Sequence, residues 1–259
     1  IKNKFLKEDG IGSVGFSDIV GSGIAAVFWL YIASVMNPGD YGEIHYFLAI
    51  AGMAQIFSML GTSHALTVYS AKKENIQSTL FIISIIPTII SCIIIIMIFD
   101  RFDAGLLAIG YVVFESVNAV MLGRKFYRKY AKMTLIQKYL TILLGLSFFY
   151  AFGPSGIVFA LVLSLIPHLI IFLKEFQNTK INFTLLKPRK NFIINNFSFH
   201  NLELIFENFD LTLYKHYKNL TYIKISLFVL NTFLLIYLYF LLDPIHKYPM
   251  RHLPYQESY

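Results

Sequence analysis

Charged residues are scarce in this sequence. Asp, Glu, Lys and Arg make up 14% of the 259 residues, whereas hydrophobic residues make up 56%. A soluble domain usually carries about 25% charged residues, because its surface stays in contact with water. So much apolar side chain cannot be buried in a single core. The composition therefore excludes an ordinary soluble protein and predicts a membrane protein.

Cysteine is almost absent, since Cys92 is the single one in the chain. A lone cysteine excludes an internal disulfide and the paired Cys/His spacing of a structural zinc site. The sequence also lacks a Gly-rich phosphate loop that is followed by Lys and Ser or Thr. We therefore predict a protein that is not an enzyme and that has no metal and no other cofactor.

Long apolar runs separated by short polar turns dominate the first two thirds of the chain. A membrane-crossing helix needs about 20 mainly apolar residues. The turns contain Pro and Gly or clustered charges, which break helices. Six runs qualify as spans, at 13–36, 41–64, 77–99, 104–122, 133–151 and 154–173. The sequence predicts an all-α, polytopic membrane protein with a six-helix bundle followed by one or two further helices.

Lys and Arg are distributed unevenly among the connections of these spans. One side carries fifteen of them, namely Lys2, Lys4, Lys7, Lys72, Lys73, Arg124, Lys125, Arg128, Lys129, Lys132, Lys174, Lys180, Lys187, Arg189 and Lys190. The connections on the other side carry only Arg101. The positive-inside rule then predicts a multi-pass protein of the cell (cytoplasmic) membrane with a cytoplasmic N-terminus. Basic clusters at the ends of apolar runs favour contact with membrane lipids over nucleic acid.

The pattern of the chain changes after residue 173, and we divide the chain accordingly. The predicted units are a first six-helix bundle at 1–173, a basic cytoplasmic linker at 174–191, the start of a second bundle at 192–243 and a polar tail at 244–259. The side of the membrane on which the tail lies depends on how residues 192–214 are placed.

Acidic residues recur within 192–214. His200, Glu203, Glu207 and Asp210 are spaced three or four residues apart, which places them on one face of a helix. Two interpretations remain open. This helix is either an amphipathic helix at the membrane interface, or a seventh span whose acidic stripe faces an aqueous cavity.

Short motifs near the first hairpin carry a resemblance to a known family. The Asn-Pro-Gly-Asp-Tyr-Gly segment at 37–42 resembles the hairpin of polysaccharide flippases in the multidrug/oligosaccharidyl-lipid/polysaccharide exporter superfamily. The Leu-Gly pair and small polar run at 60–65 are similar to a segment that follows one helix later in that family. The Asn-Phe-Asp segment at 208–210 is similar to a motif of its seventh helix. The resemblance covers roughly 13–214.

The resemblance implies a transporter that moves lipid-linked oligosaccharide or polysaccharide precursors across the cytoplasmic membrane. Family members have twelve or more helices in two halves, whereas this chain stops soon after its second half begins. We therefore expect an incomplete second half, supplied by a second chain or by self-association. The alternatives are a multidrug-type exporter of the same superfamily and a non-transporting truncated remnant. A membrane glycosyltransferase or acyltransferase is less favoured, because one helical stripe does not provide a convergent catalytic site.

Charged side chains inside the apolar runs are the candidate cavity residues. At about 1.5 Å per residue, several lie in the cytoplasmic third of their spans, where an unpaired charge is costly. The candidates for cavity, substrate or coupling roles are Glu115, Lys138, His168, Asp18, Asp210 and Glu207.

We expect Glu115 and Lys138 to pair across the fourth and fifth spans. Three interpretations of this pair remain open: a fixed salt bridge, a Lys138 that extends to the interface, and a pair that faces the ligand. His168, after Pro167, is either functional or a helix-kink residue with a satisfied imidazole. Asp18 is either a cavity residue or a charge at the water boundary.

Overall fold

The computed structural model describes residues 10–59, 61–179 and 181–183, and this part of the chain contains helices and no strands. The helices are α1 (Gly12–Val35), α2 (Pro38–Met59), α3 (Thr62–Ala71), α4 (Gln77–Phe99), α5 (Phe102–Gly123), α6 (Tyr127–Phe152), α7 (Gly156–Ser164) and α8 (Ile166–Asn178). The all-α prediction is confirmed.

Six stretches of the described chain are suited to crossing a membrane. The helices α1, α4, α5 and α6 are each long and apolar enough to do so alone. The pairs α2 with α3 and α7 with α8 are apolar enough as well, but they are bent by 56° and 40°. When each bent pair counts as one crossing, the number agrees with the six predicted spans. The protein is therefore a multi-pass membrane protein with a helical bundle.

The two bends have local causes. Gly61 adopts the left-handed conformation (φ 73°) between α2 and α3, which is a conformation that glycine reaches without a steric penalty. Leu165 separates α7 from α8 just ahead of Pro167. Proline has no backbone N–H, so Pro167 cannot donate the hydrogen bond to the preceding turn that would join α8 to α7. The predicted spans at 41–64 and 154–173 are thus broken helices, and the second is bent where Pro167 made a helix kink one of the two expectations.

Three helices also extend by five or more residues beyond their predicted ends. Helix α3 continues to Ala71, α6 begins at Tyr127, and α8 continues to Asn178. Each extension contains polar or charged residues, which sequence reasoning assigned to loops. These residues lie past the apolar stretch but still complete helical hydrogen bonds. The first residues of the predicted linker, 174–178, are therefore helical.

Helix α5 forms the centre of the bundle and packs against α2, α3, α4, α6, α7 and α8. Its last residue, Gly123, lies so close to α3 that an added Cβ would sit 2.3 Å from the carbonyl oxygen of Thr67 and 2.8 Å from Cβ of Ser70. Only a residue without a side chain permits this approach. The C-terminal ends of α3 and α5 are therefore side by side.

Helix α1 lies at the edge of the bundle and packs mainly along α6. The ring of Phe28 fills the space above Gly145, where an added Cβ would come within 2.7 Å of it. Ser17 and Gly21 are buried on the same side of α1. Near the first hairpin α1 also meets α2, because the Trp29 ring lies 4.5 Å from His45 and 6.1 Å from Tyr41.

The two ends of the bundle differ in charge. We call the end with the turns at 72–76 and 124–126 the basic end, and the end with the turns at 36–37, 100–101 and 153–155 the hairpin end. At the hairpin end Arg101 forms ion pairs with Glu43 (2.6 Å) and Asp103 (2.8 Å) and lies 4.3 Å from the centre of the Phe47 ring. The hydrogen bonds to Asp103 raise the pKa of Arg101 above its ordinary value.

Candidate functional site

A group of polar side chains lies within the membrane-crossing part of the bundle, toward its basic end. We call it the polar cluster and define it as Asp18, Ser63, Glu115, Tyr130 and Lys138. Its members come from α1, α3, α5 and α6, so only the folded bundle brings them together. The following contacts establish it.

The first part of the polar cluster joins α1 to α6. The Tyr130 hydroxyl donates a hydrogen bond to Oδ1 of Asp18 at 3.1 Å. Lys138, two turns farther along α6, lies against Gly21, whose added Cβ would be 3.3 Å from Cγ of Lys138. Lys138 also interacts electrostatically with Asp18. Asp18 is exposed on the surface of the bundle, and Lys138 is half-buried.

The second part of the polar cluster joins α3 to α5. The Ser63 hydroxyl donates a hydrogen bond to Oε1 of Glu115 at 2.7 Å. Ser63 is in the first turn of α3, directly after the bend at Gly61, so the bend determines where its hydroxyl lies. Glu115 acts on Tyr130 more weakly than Asp18 does, so the two parts are neighbours within the bundle.

The expected pairing of Glu115 with Lys138 is not formed in the described part of the chain. Glu115 is bonded to Ser63, whereas Lys138 lies against Gly21 near Asp18. The two residues are at similar depth, as the sequence predicted, but depth does not fix the direction of a side chain around its helix. Lys138 points toward α1 and Glu115 points toward α3.

His168 lies in a different part of the bundle from the polar cluster. Its side chain is fully buried at the start of α8, and the ring centre is 4.6 Å from that of Phe114. Neither ring nitrogen has a hydrogen-bond partner among the described residues. The place of His168 beside Pro167 at the bend agrees with its interpretation as a kink residue, while no described residue satisfies its imidazole.

A buried hydrogen-bond network lies one turn from His168. Nε2 of Gln137 donates to Thr141 Oγ1 at 3.0 Å and lies 3.4 Å from Ser164 Oγ, which is 3.2 Å from Thr141 Oγ1. The network joins α6 to the end of α7 at the second bend. Gln137 and Lys138 are neighbours in sequence and point about 100° apart around α6. Gln137 points toward α7 and Lys138 toward α1, so this network and the polar cluster lie on different faces of α6.

Two of the predicted site residues, Glu207 and Asp210, lie outside the described residues, as do His200 and Glu203. Sequence reasoning did not select Tyr130 or Ser63. A signal for Tyr130 was present, because Tyr130, Thr134 and Lys138 recur every four residues and so share one face of a helix. It was missed because α6 was expected to begin at residue 133.

The polar cluster carries both signs of charge and two hydroxyl groups. It can therefore contact charged or hydroxyl-rich groups that lipid chains do not solvate. In the described part of the chain, no group of three or more His, Cys, Asp or Glu is placed to hold a metal ion. Comparison of the chain with protein-family models, with curated proteins and with solved structures finds no match in any of the three.

Proposed function

We propose that this protein is a membrane transporter that moves lipid-linked oligosaccharide or polysaccharide precursors across the cytoplasmic membrane, with its basic end on the cytoplasmic side. The observation that carries the proposal is the polar cluster itself. A bundle that only anchors itself in a membrane has no need of Asp18, Glu115 and Lys138 within its crossings. A charge at the centre of a crossing costs about 2.5 to 3.5 kcal/mol on insertion scales, and the cost falls toward the ends of the crossing.

The position of the polar cluster fits transport better than anchoring. Asp18 is exposed at the edge of the bundle, where α1 packs on α6 and does not pack along α3. A carboxylate in this position is unfavourable against lipid chains. Water, a polar head group or a further protein segment must therefore face it, and a transport cavity provides such surroundings.

The class of substrate comes from the sequence resemblance at 37–42 and 60–65. A lipid-linked saccharide has a polar head group that must pass about 30 Å of hydrocarbon. Side chains that donate and accept hydrogen bonds along the route replace part of the water that the head group loses. Tyr130, Ser63 and Lys138 supply donors, while Asp18 and Glu115 supply acceptors.

The test is transport by the full chain in liposomes that contain a fluorescent lipid-linked oligosaccharide. Movement to the other leaflet is followed by the loss of access to an added glycosidase. We expect Asp18→Asn and Tyr130→Phe each to slow transport about tenfold, which corresponds to the loss of one charge-assisted hydrogen bond.

The matched control is Tyr139→Phe. Tyr139 is on the same helix, but it is largely exposed (64%) and lies outside the polar cluster. This variant should transport at the normal rate. Equal rates for all three variants would exclude the polar cluster as the route. Export of cationic dyes without saccharide movement would instead indicate a drug exporter, and transfer of sugar to an acceptor would indicate an enzyme.

A further inference from the structure

Two turns at the basic end of the bundle share an unusual backbone conformation. Lys73, after α3, has φ 58°, and Lys125, after α5, has φ 60°. Both turns close with the same hydrogen bonds. Lys73 N–H donates to Ser70 and Glu74 N–H to Tyr69 in the first turn, while Lys125 N–H donates to Leu122 and Phe126 N–H to Met121 in the second.

This pattern is the Schellman motif that ends many helices, and glycine normally occupies its left-handed position. A lysine there has a Cβ that crowds the backbone, so the position costs free energy that glycine would not. Asp100 at the hairpin end has the same conformation (φ 53°), but at the basic end the residue in this conformation is a lysine in both turns. Since lysine differs from glycine here by a long cationic side chain, the reason for a lysine there lies in the charge.

The two turns form one surface, because Gly123 packs against Thr67 and Ser70 and so holds the ends of α3 and α5 together. The second turn is fixed further by Arg124, whose Nη1 lies 2.8 and 2.9 Å from the two carboxylate oxygens of Glu175 on α8. The surface is therefore built on packed helix ends, which an ion pair joins to α8.

Exposed cations cover this surface. We call it the lysine surface, and its members are Lys72, Lys73, Lys125, Arg128 and Lys129. Among them Phe126 is also half exposed (48%). Helix α6 has no acidic residue in its first turn and no side-chain cap. Glu74 is an acidic residue within the turn that follows α3.

We propose that the lysine surface is a binding site for the phosphate groups of anionic membrane lipids. The structure favours a lipid over nucleic acid or an acidic protein for two reasons. The surface is at the ends of helices that cross the membrane, where head groups are the nearest anions. Phe126 is an aromatic residue between the cations, and the interface accommodates an aromatic ring beside charged head groups.

The test compares association of the full chain with spin-labelled phosphatidylglycerol and spin-labelled phosphatidylcholine in bilayers. We expect Lys73→Gly and Lys125→Gly each to lower the preference for phosphatidylglycerol about fivefold, which is the usual contribution of one lysine near an anionic surface. The same variants should unfold at a higher temperature, because glycine relieves the strained backbone. A loss of binding together with a gain of stability is not expected of a lysine with a merely structural role.

Two further pairs of variants separate charge from backbone. Lys73→Arg and Lys125→Arg keep the charge and should keep the preference for phosphatidylglycerol. Lys73→Gln and Lys125→Gln remove the charge and should lose the preference with no gain in stability. The proposal is wrong if the glycine variants keep the preference, if they unfold at a lower temperature, or if the arginine variants lose as much as the glycine variants. Displacement of phosphatidylglycerol by DNA or an acidic peptide at equal charge would overturn the choice of partner.

Discussion

Helices α1 and α5 are equally apolar and nearly equal in length, yet they have opposite positions in the bundle. In the membrane-crossing part of α5, 61% of the residues are buried inside the protein, against 17% in α1. Helix α5 packs against six of the other described helices, whereas α1 packs mainly on α6. The difference shows that hydropathy identifies a span but does not tell whether its neighbours are helices or lipid.

The difference between the two helices also separates the expected effects on stability from those on the proposed transport. The central helix is held by close approaches such as that of Gly123 to α3, and the edge helix carries the exposed Asp18. We therefore expect substitutions in α5 to affect folding first. Substitutions on the exposed side of α1 should affect transport first.

The largest expected effect is on α5. Gly123→Ala places a Cβ 2.3 Å from a backbone oxygen, so α3 and α5 must separate, and the free energy of unfolding should fall by about 3 kcal/mol. Gly23→Ala on α1 is the matched control, because its Cβ meets nothing within 4 Å. Alanine favours a helix by up to about 1 kcal/mol over glycine, so this variant should be neutral or stabilised. Denaturant unfolding in detergent measures both, and equal losses would contradict the contrast between the two helices.

A smaller effect is expected where α5 begins. The Asp103 carboxylate is buried and accepts two hydrogen bonds from Arg101 at 2.8 and 2.9 Å, so Asp103→Asn should cost about 2 kcal/mol of unfolding free energy. The Glu43 side chain is 55% exposed, and Glu43→Gln should therefore cost less than about 1 kcal/mol. If the two losses are equal, the buried pair does not anchor α5.

The ion pair of Arg101 with Asp103 also predicts how stability depends on pH. The pKa of Arg101 is raised in the folded protein, so its contribution is complete below its ordinary pKa and is lost only as the pH rises through the folded value. The unfolding free energy that Asp103→Asn removes should therefore stay constant between about pH 7 and 10. Unfolding curves at several pH values check this. A decline within that range would show that another group titrates with the pair.

The smallest expected effects are in the polar cluster. Ser63→Ala removes one hydrogen bond to Glu115 and should cost about 1 kcal/mol of unfolding free energy. A double-mutant cycle of Glu115→Gln and Lys138→Met should show a coupling below about 0.5 kcal/mol, because the two side chains point to different helices. A larger coupling would show that Glu115 and Lys138 form the ion pair that the sequence predicted.

The spans were predictable because their signals are local. The run at 77–99 coincides with α4, and the Asn-Pro-Gly-Asp segment at 37–40 contains both the turn and the start of α2. The bends were less evident. Gly61 and Pro167 are visible in the sequence, but a glycine or a proline within an apolar run breaks a helix in some settings and is tolerated in others.

The candidate site was predictable only in part. Asp18, Glu115 and Lys138 were identified by charge within apolar runs, and the structure places all three in the polar cluster. Their partners were not identified. Ser63 binds Glu115 because of the bend at Gly61, and Tyr130 reaches Asp18 because α6 begins earlier than its apolar run.

The sequence by itself determined which segments are helices that cross a membrane and which turns are basic, because hydrophobicity and turn residues act over a few neighbouring positions. Only the tertiary structure decided that α5 is central and α1 peripheral, that His168 is separate from the polar cluster, and that Lys73 and Lys125 share one surface. These arrangements depend on how each helix is rotated about its axis. That rotation is set by close contacts such as Gly123 with Thr67 and Gly145 with Phe28, between residues far apart in the chain.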